Sequence, residues 1–118
     1  MLAYVFWHYP YDEVAVDRYE QALVAFYADL DRAPPPGYRG CATYRARIPW
    51  FGDRTGYEDW CLVESSAALE TLNTAAVNPA RWDVHAAVAS RMDTGAGGLY
   101  YHIGGEADPR AGERVIWL

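Results

Sequence analysis

The chain has 118 residues, of which 52% are hydrophobic, and a formal net charge of −6. That length and composition describe one domain with its own core and exclude an intrinsically disordered chain. Arginine supplies all the fixed positive charge and lysine is absent, so no basic stripe offers itself to nucleic acid or an anionic membrane surface. No apolar run reaches the ~20 residues of a bilayer span. The N-terminus lacks the basic flank and small-residue cleavage site of a secretory leader, so a cytoplasmic location is expected.

Residues 2–9, rich in Val, Phe, Trp and Tyr, read as a strand that Pro10 ends. Asp12, or Asp17 with Glu20, signals a helix start. Val16, Tyr19, Leu23, Phe26, Tyr27 and Leu30 recur at helical spacing and give that helix one apolar face. The proline run of residues 33–37 stops it. A second strand spans about 38–48, a loop follows over 49–56, and a third strand runs over about 57–64. Ser65 or Ser66 caps a short helix through about residue 76, and Asn78-Pro79 opens another. That helix places Trp82, His85, Val88, Ala89 and Met92 on one stripe. Gly95, Gly97 and Gly98 end it, and a fourth strand covers 99–103. Residues 1–104 form the domain. Residues 105–118 are an extension whose apolar end, Val115-Ile116-Trp117-Leu118, has the look of a fifth strand packing on a partner subunit.

Cys41 and Cys61 lack a metal-ligand spacing. In a cytoplasmic chain they are expected as buried free thiols. Because they fall on neighbouring strands, a redox pair is the second reading.

The order β-α-β-β-α-β, with the second helical unit split in two, is the ferredoxin-like order. With the Tyr57-Glu58-Asp59-Trp60 strand leading into a helix, the chain resembles the dimeric α+β barrel superfamily, in its stress-response barrel, antibiotic-biosynthesis monooxygenase and EthD-like branches. The resemblance covers roughly residues 2–104. It implies an α+β fold with a four-stranded antiparallel sheet of order 4-1-3-2 and helices on one face. It implies a homodimer formed by packing two sheets together, and a pocket between sheet and helices or within the barrel. Activities in the superfamily vary, so fold alone assigns none.

That order brings His8 beside Glu58, Asp59 and Tyr100, with Arg45 and Arg47 arriving at the same sheet edge and the 49–56 loop capping it. Strand alternation groups His8 with Phe6 and Tyr4, Arg45 and Arg47 with Thr43 and Cys41, and Tyr100 with His102. The complementary positions include Ala3, Val5, Trp7, Ala42, Tyr44, Leu99 and Tyr101. They are more apolar and are expected to face the helices. In one hairpin register Arg47 opposes Glu58 and Arg45 opposes Trp60. In the other Arg47 opposes Asp59.

Three functions are consistent with these residues. The first is a small-molecule pocket protein, working without a cofactor as an isomerase or monooxygenase-like enzyme on a small aromatic or anionic compound. In it Tyr4, Phe6, Trp60 and Tyr100 form walls and Trp50 sits on a lid. Arg45 or Arg47 holds a carboxylate or enolate oxygen, His8 or His102 acts as general base, and Glu58 orients it. The second is haem binding with His85 as axial ligand. The third is a non-catalytic obligate homodimer, in which Arg47 and Glu58 form an ordinary cross-strand ion pair and the strand histidines serve the interface.

Overall fold

A computed structural model of the protein describes residues 1–105. The chain runs β1 (Leu2–Pro10), α1 (Val16–Arg32), β2 (Tyr38–Ala46), a 3-10 turn (Pro49–Phe51), β3 (Gly56–Val63), α2 (Ser66–Ala76), a second 3-10 turn (Pro79–Arg81), α3 (Trp82–Ala89) and β4 (Met92–Tyr101). The four strands form one open antiparallel sheet in the order β2-β3-β1-β4. This is the expected α+β, ferredoxin-like architecture. The fifth strand expected near the C-terminus lies outside the described residues.

Local chemistry explains most boundaries. The Ser65 hydroxyl accepts the Ala68 amide at the start of α2, and the Asn78 side chain accepts the Ala80 amide before α3, each satisfying an otherwise orphaned N–H. By contrast α1 begins after Ala15 with no side-chain cap. Its position is set by the stripe of Tyr19, Leu23 and Leu30, all buried on the sheet. Leu2, Leu30, Tyr38, Cys61, Val63 and Leu72 form one core cluster. Tyr19, Leu23, Tyr57 and Val88 form a second. Full burial of each such leucine or valine contributes roughly 1.5–3 kcal/mol.

β4 departs from expectation. It starts at Met92, so the glycines lie inside the strand. A Cβ at Gly95 would collide with the Phe6 ring, and one at Gly97 with the Tyr4 ring. The glycines are therefore close-approach positions that let two aromatic rings of β1 lie across β4.

The faces of β1 and β2 are the reverse of the expected ones. His8, Phe6 and Tyr4 point to the helices: His8 meets Tyr19 of α1, and Phe6 lines a cavity with residues of α1 and α3. Trp7 lies on the open face. Polar tips misled the assignment, because the helices themselves supply phenolic partners. Leu99 and Tyr101 do share the helix-side parity expected of them, as Tyr4 pairs with Leu99.

The β2–β3 register also differs from both expected forms. Tyr44 opposes Glu58, Arg45 opposes Tyr57 and Thr43 opposes Asp59. Arg47 lies beyond the end of β2, because Gly56 begins β3 opposite Ala46 and the intervening residues form the 3-10 turn. It therefore opposes neither carboxylate.

Candidate functional site

His8 sits near the end of β1, between Tyr57 of β3 and Gly95 of β4. It is fully buried, so both ring nitrogens need partners. Nδ1 lies 2.6 Å from the Tyr19 hydroxyl and Nε2 lies 2.9 Å from Asp59 Oδ2. The Tyr27 hydroxyl donates to the same Asp59 oxygen at 2.6 Å. An ionised Asp59 accepts only, so Nε2–H and Tyr27 O–H donate to it, and with the imidazole neutral Tyr19 O–H donates to Nδ1. Tyr57 stacks on the imidazole at 5.6 Å.

The phenols are held in their donor form. Burial and the nearby Asp59 charge push Tyr19 and Tyr27 well above the ordinary tyrosine range. Burial, then a hydrogen bond to Glu20, pushes Tyr57 up to about 12. Unfolded tyrosines ionise near 10. The folded chain thus holds phenolic protons that the unfolded chain releases. The resulting stabilisation is complete below pH ~10 and is lost as pH rises through the folded values. Thermal melts from pH 8 to 12 are expected to fall steeply above pH ~10, and Tyr19→Phe to blunt that fall.

The second oxygen of this carboxylate is the notable one. Asp59 is 2% exposed, yet its Oδ1 has no hydrogen-bond partner, and neither does the buried Nδ1 of His85. Both residues line one cavity of ≈ 330 Å³ between the sheet and helices α1 and α3. Its other walls are mostly apolar, including Phe6, Leu23, Phe26 and Val88. His85 is held there by ring contacts with Phe26 and Trp82. Unpaired buried polar atoms are costly, and a concave apolar site with a few convergent polar atoms is how ligand sites are built. The space is at the small end of ligand sites, and a carboxylate would face the macrocycle of a porphyrin. The residues do not fit haem.

A second cavity, of ≈ 370 Å³, lies on the other side of Leu23 and Tyr27. Arg45 borders it but is not free: its Nε and Nη2 donate to the two Glu20 oxygens at 2.8 and 2.6 Å. Tyr57 donates to the same carboxylate at 2.8 Å. Arg47 borders a separate groove with Asp53 and Arg54.

The remaining expected site residues lie on the open face or at its margin. Glu58 is 3% exposed, and its two oxygens accept Trp7 Nε1 at 2.8 Å and Trp60 Nε1 at 2.5 Å. Tyr100 stacks on Trp60 at 6.2 Å, and Trp50 meets Trp7 edge-on at 5.8 Å. Tyr100 opposes Ala3, far along the strand from His8. Exposed His102 lies past the end of β4, with Nε2 2.9 Å from the Gly105 carbonyl. The expected cluster is therefore split by the sheet. His8, Phe6, Tyr4 and Arg45 share the helix side, whereas Glu58, Trp60, Trp50 and Tyr100 share the other. Tyr19, Tyr27 and Asp59 complete the helix-side site. The legible signal for the first two was a pair of hydroxyl-bearing rings on an otherwise apolar helical stripe.

No protein-family model matches the chain, and no curated protein matches it in sequence. Solved structures do match in shape. SnoaB, a cofactor-independent oxygenase from Streptomyces nogalater, superposes with a TM-score of 0.67 at 16% identity, over 91% of this chain and 97% of that one. The shared fold is ferredoxin-like. At3g17210 from Arabidopsis thaliana gives 0.67 at 13% identity, over 90% and 99% of the two chains. A dimeric ferredoxin-like protein of unknown function from Bacteroides fragilis gives 0.60 at 14% identity, over 86% and 95%. At such identities the likeness establishes architecture. Among the described residues no helix is long and apolar enough to cross a membrane.

Proposed function

We propose that the chain is a small cofactor-independent enzyme that removes a proton beside a carbonyl in a compact, largely apolar ring compound, leading to isomerisation or oxygenation. The observation that carries this reading is the unpartnered Asp59 Oδ1 in a cavity shared with unpartnered His85 Nδ1. Asp59 is the base. Tyr27 and His8 occupy Oδ2, which fixes the carboxylate and leaves Oδ1 for the substrate. His8 is a positioning residue, since both its nitrogens are already engaged. His85 steadies the enolate oxygen, donating from Nδ1 in the tautomer or charge state that carries a proton there. The oxygenase of like fold supports the reading at the level of architecture.

The test is proton exchange, which needs no knowledge of the final product. Cyclic 1,3-diketones and hydroxylated aryl ketones are incubated with the protein in deuterated buffer, and label uptake is followed by NMR. Wild type is expected to accelerate exchange of at least one compound, and His85→Ala to lose about tenfold or more of that rate. No acceleration by wild type across the panel sinks the proposal.

We also propose that the open sheet face is the surface of a homodimer. Trp7, Trp60, Tyr100 and the exposed Trp50 concentrate aromatic area there around a buried carboxylate, a composition typical of interfaces. The dimeric ferredoxin-like protein from Bacteroides fragilis supports it.

A further inference from the structure

Cys41 and Cys61 lie directly opposite each other across the β2–β3 pairing. Antiparallel partners have Cα atoms about 4.5–5.5 Å apart, inside the range of about 4.4–6.8 Å that a disulfide spans. Opposed residues of neighbouring strands also share a face, here the helix side, where both cysteines pack in the cluster with Leu2 and Leu30. Both are free thiols. The Cys41 thiol donates to the Ala42 carbonyl at 3.9 Å, and Tyr27 packs in the same cluster as both cysteines and borders the same cavity as Cys41. The Tyr27 hydroxyl is the one that donates to Asp59 at 2.6 Å. Cys61 is 6% exposed, whereas half-buried Cys41 borders the ≈ 370 Å³ cavity and is the thiol a small reagent reaches.

We propose that Cys41 and Cys61 form a reversible cross-strand disulfide that resets the Tyr27 grip on Asp59. The step needs an oxidant of the disulfide class. The Cys41 thiolate attacks one sulfur of a small symmetric disulfide, forming a mixed disulfide and releasing one thiol. The Cys61 thiolate then attacks Cys41 Sγ, forming the Cys41–Cys61 bond and releasing the second thiol. The protein loses two protons and two electrons, and the reagent gains both as two thiols. Once its sulfur is bonded to Cys61, Cys41 Sγ is drawn toward β3 and changes the packing of the cluster it shares with Tyr27, so the phenol must find a new arrangement. Burial pushes the Cys41 thiol well up, so the exchange is slow at neutral pH and quickens as pH rises.

The experiment uses hydroxyethyl disulfide in excess on the whole protein, and it needs no substrate. Wild type is expected to end as a species with no titratable thiol after denaturation, unlinked to other chains, and with a Cys41–Cys61 crosslinked peptide in its digest. Reductant restores both thiols. Cys61→Ser is expected to stop at one mixed disulfide on Cys41. Wild type that stops at mixed disulfides, keeps its thiols or links chain to chain overturns the bond. The coupling is read from ring resonances of Tyr27 and His8 in labelled protein. They are expected to move between the reduced and disulfide forms and not on mock treatment of Cys41→Ser. Resonances that stay put in the crosslinked wild type overturn the coupling while leaving the base assignment to Asp59 untouched.

Discussion

Asp59→Asn is expected to lower the rate of substrate proton exchange by about 10²–10⁴-fold and to cost roughly 2–4 kcal/mol of folding stability. The two effects have different origins. The rate falls because an amide is not a base, although it occupies nearly the same space. Stability falls because Asp59 Oδ2 accepts two buried hydrogen bonds, from Tyr27 and His8, and bonds to a charged acceptor contribute about 1.5–3 kcal/mol each. Asparagine keeps one oxygen acceptor, so part of that survives. Urea denaturation gives the stability change, and exchange measured well below the midpoint gives the rate. An Asp59→Asn protein that exchanges substrate protons at the wild-type rate removes Asp59 as the base. Tyr27→Phe separates the roles further. It deletes one donor to Oδ2 and leaves the carboxylate charged, so it is expected to weaken the rate by much less than the asparagine change.

The sequence made the architecture readable because each element boundary has its own chemistry. Ser65 and Asn78 announce helix starts, the proline run ends α1, and the alternation of aliphatic and aromatic residues marks β1. The site was less legible for one reason. Alternation divides a strand into two sets of side chains, but it does not say which set faces the helices. Histidine and tyrosine on β1 read as polarity away from the helices, yet α1 brings Tyr19 to His8 and Tyr27 to Asp59 on the adjoining strand β3. An assignment made from one strand alone has no access to the hydroxyl on the element that covers it. The glycines of β4 misled in the same manner. They read as a break, whereas the space they leave is filled by the rings of Phe6 and Tyr4. Consecutive residues Glu58 and Asp59 show the cost of a one-place ambiguity. One carboxylate belongs to the open face and the other to the cavity, and only the pairing register tells them apart.

Trp60→Ala is expected to convert the proposed dimer to monomer at micromolar concentration, with a loss of about 2 kcal/mol or more in association. Trp60 stacks on Tyr100 and donates to Glu58 Oε1 at 2.5 Å, so its removal does two things. It deletes an aromatic anchor from the open face. It also leaves one oxygen of a buried carboxylate without its donor, which disfavours covering that carboxylate with another subunit. Glu58→Gln keeps the size of the side chain and an acceptor for one indole, so it is expected to retain the dimer. Sedimentation velocity of the three proteins decides the matter. A wild-type monomer at micromolar concentration refutes the proposed interface, and a Trp60→Ala dimer as tight as wild type moves it off this face. Proton exchange by the Trp60→Ala monomer carries separate information. Trp7 and His8 are neighbours in β1, and Glu58 and Asp59 are neighbours in β3. The indole–carboxylate contact on one face is thus one residue away from the imidazole–carboxylate contact on the other. Loosening the first is expected to loosen the second, so the monomer should exchange more slowly than the dimer even though no cavity residue has changed.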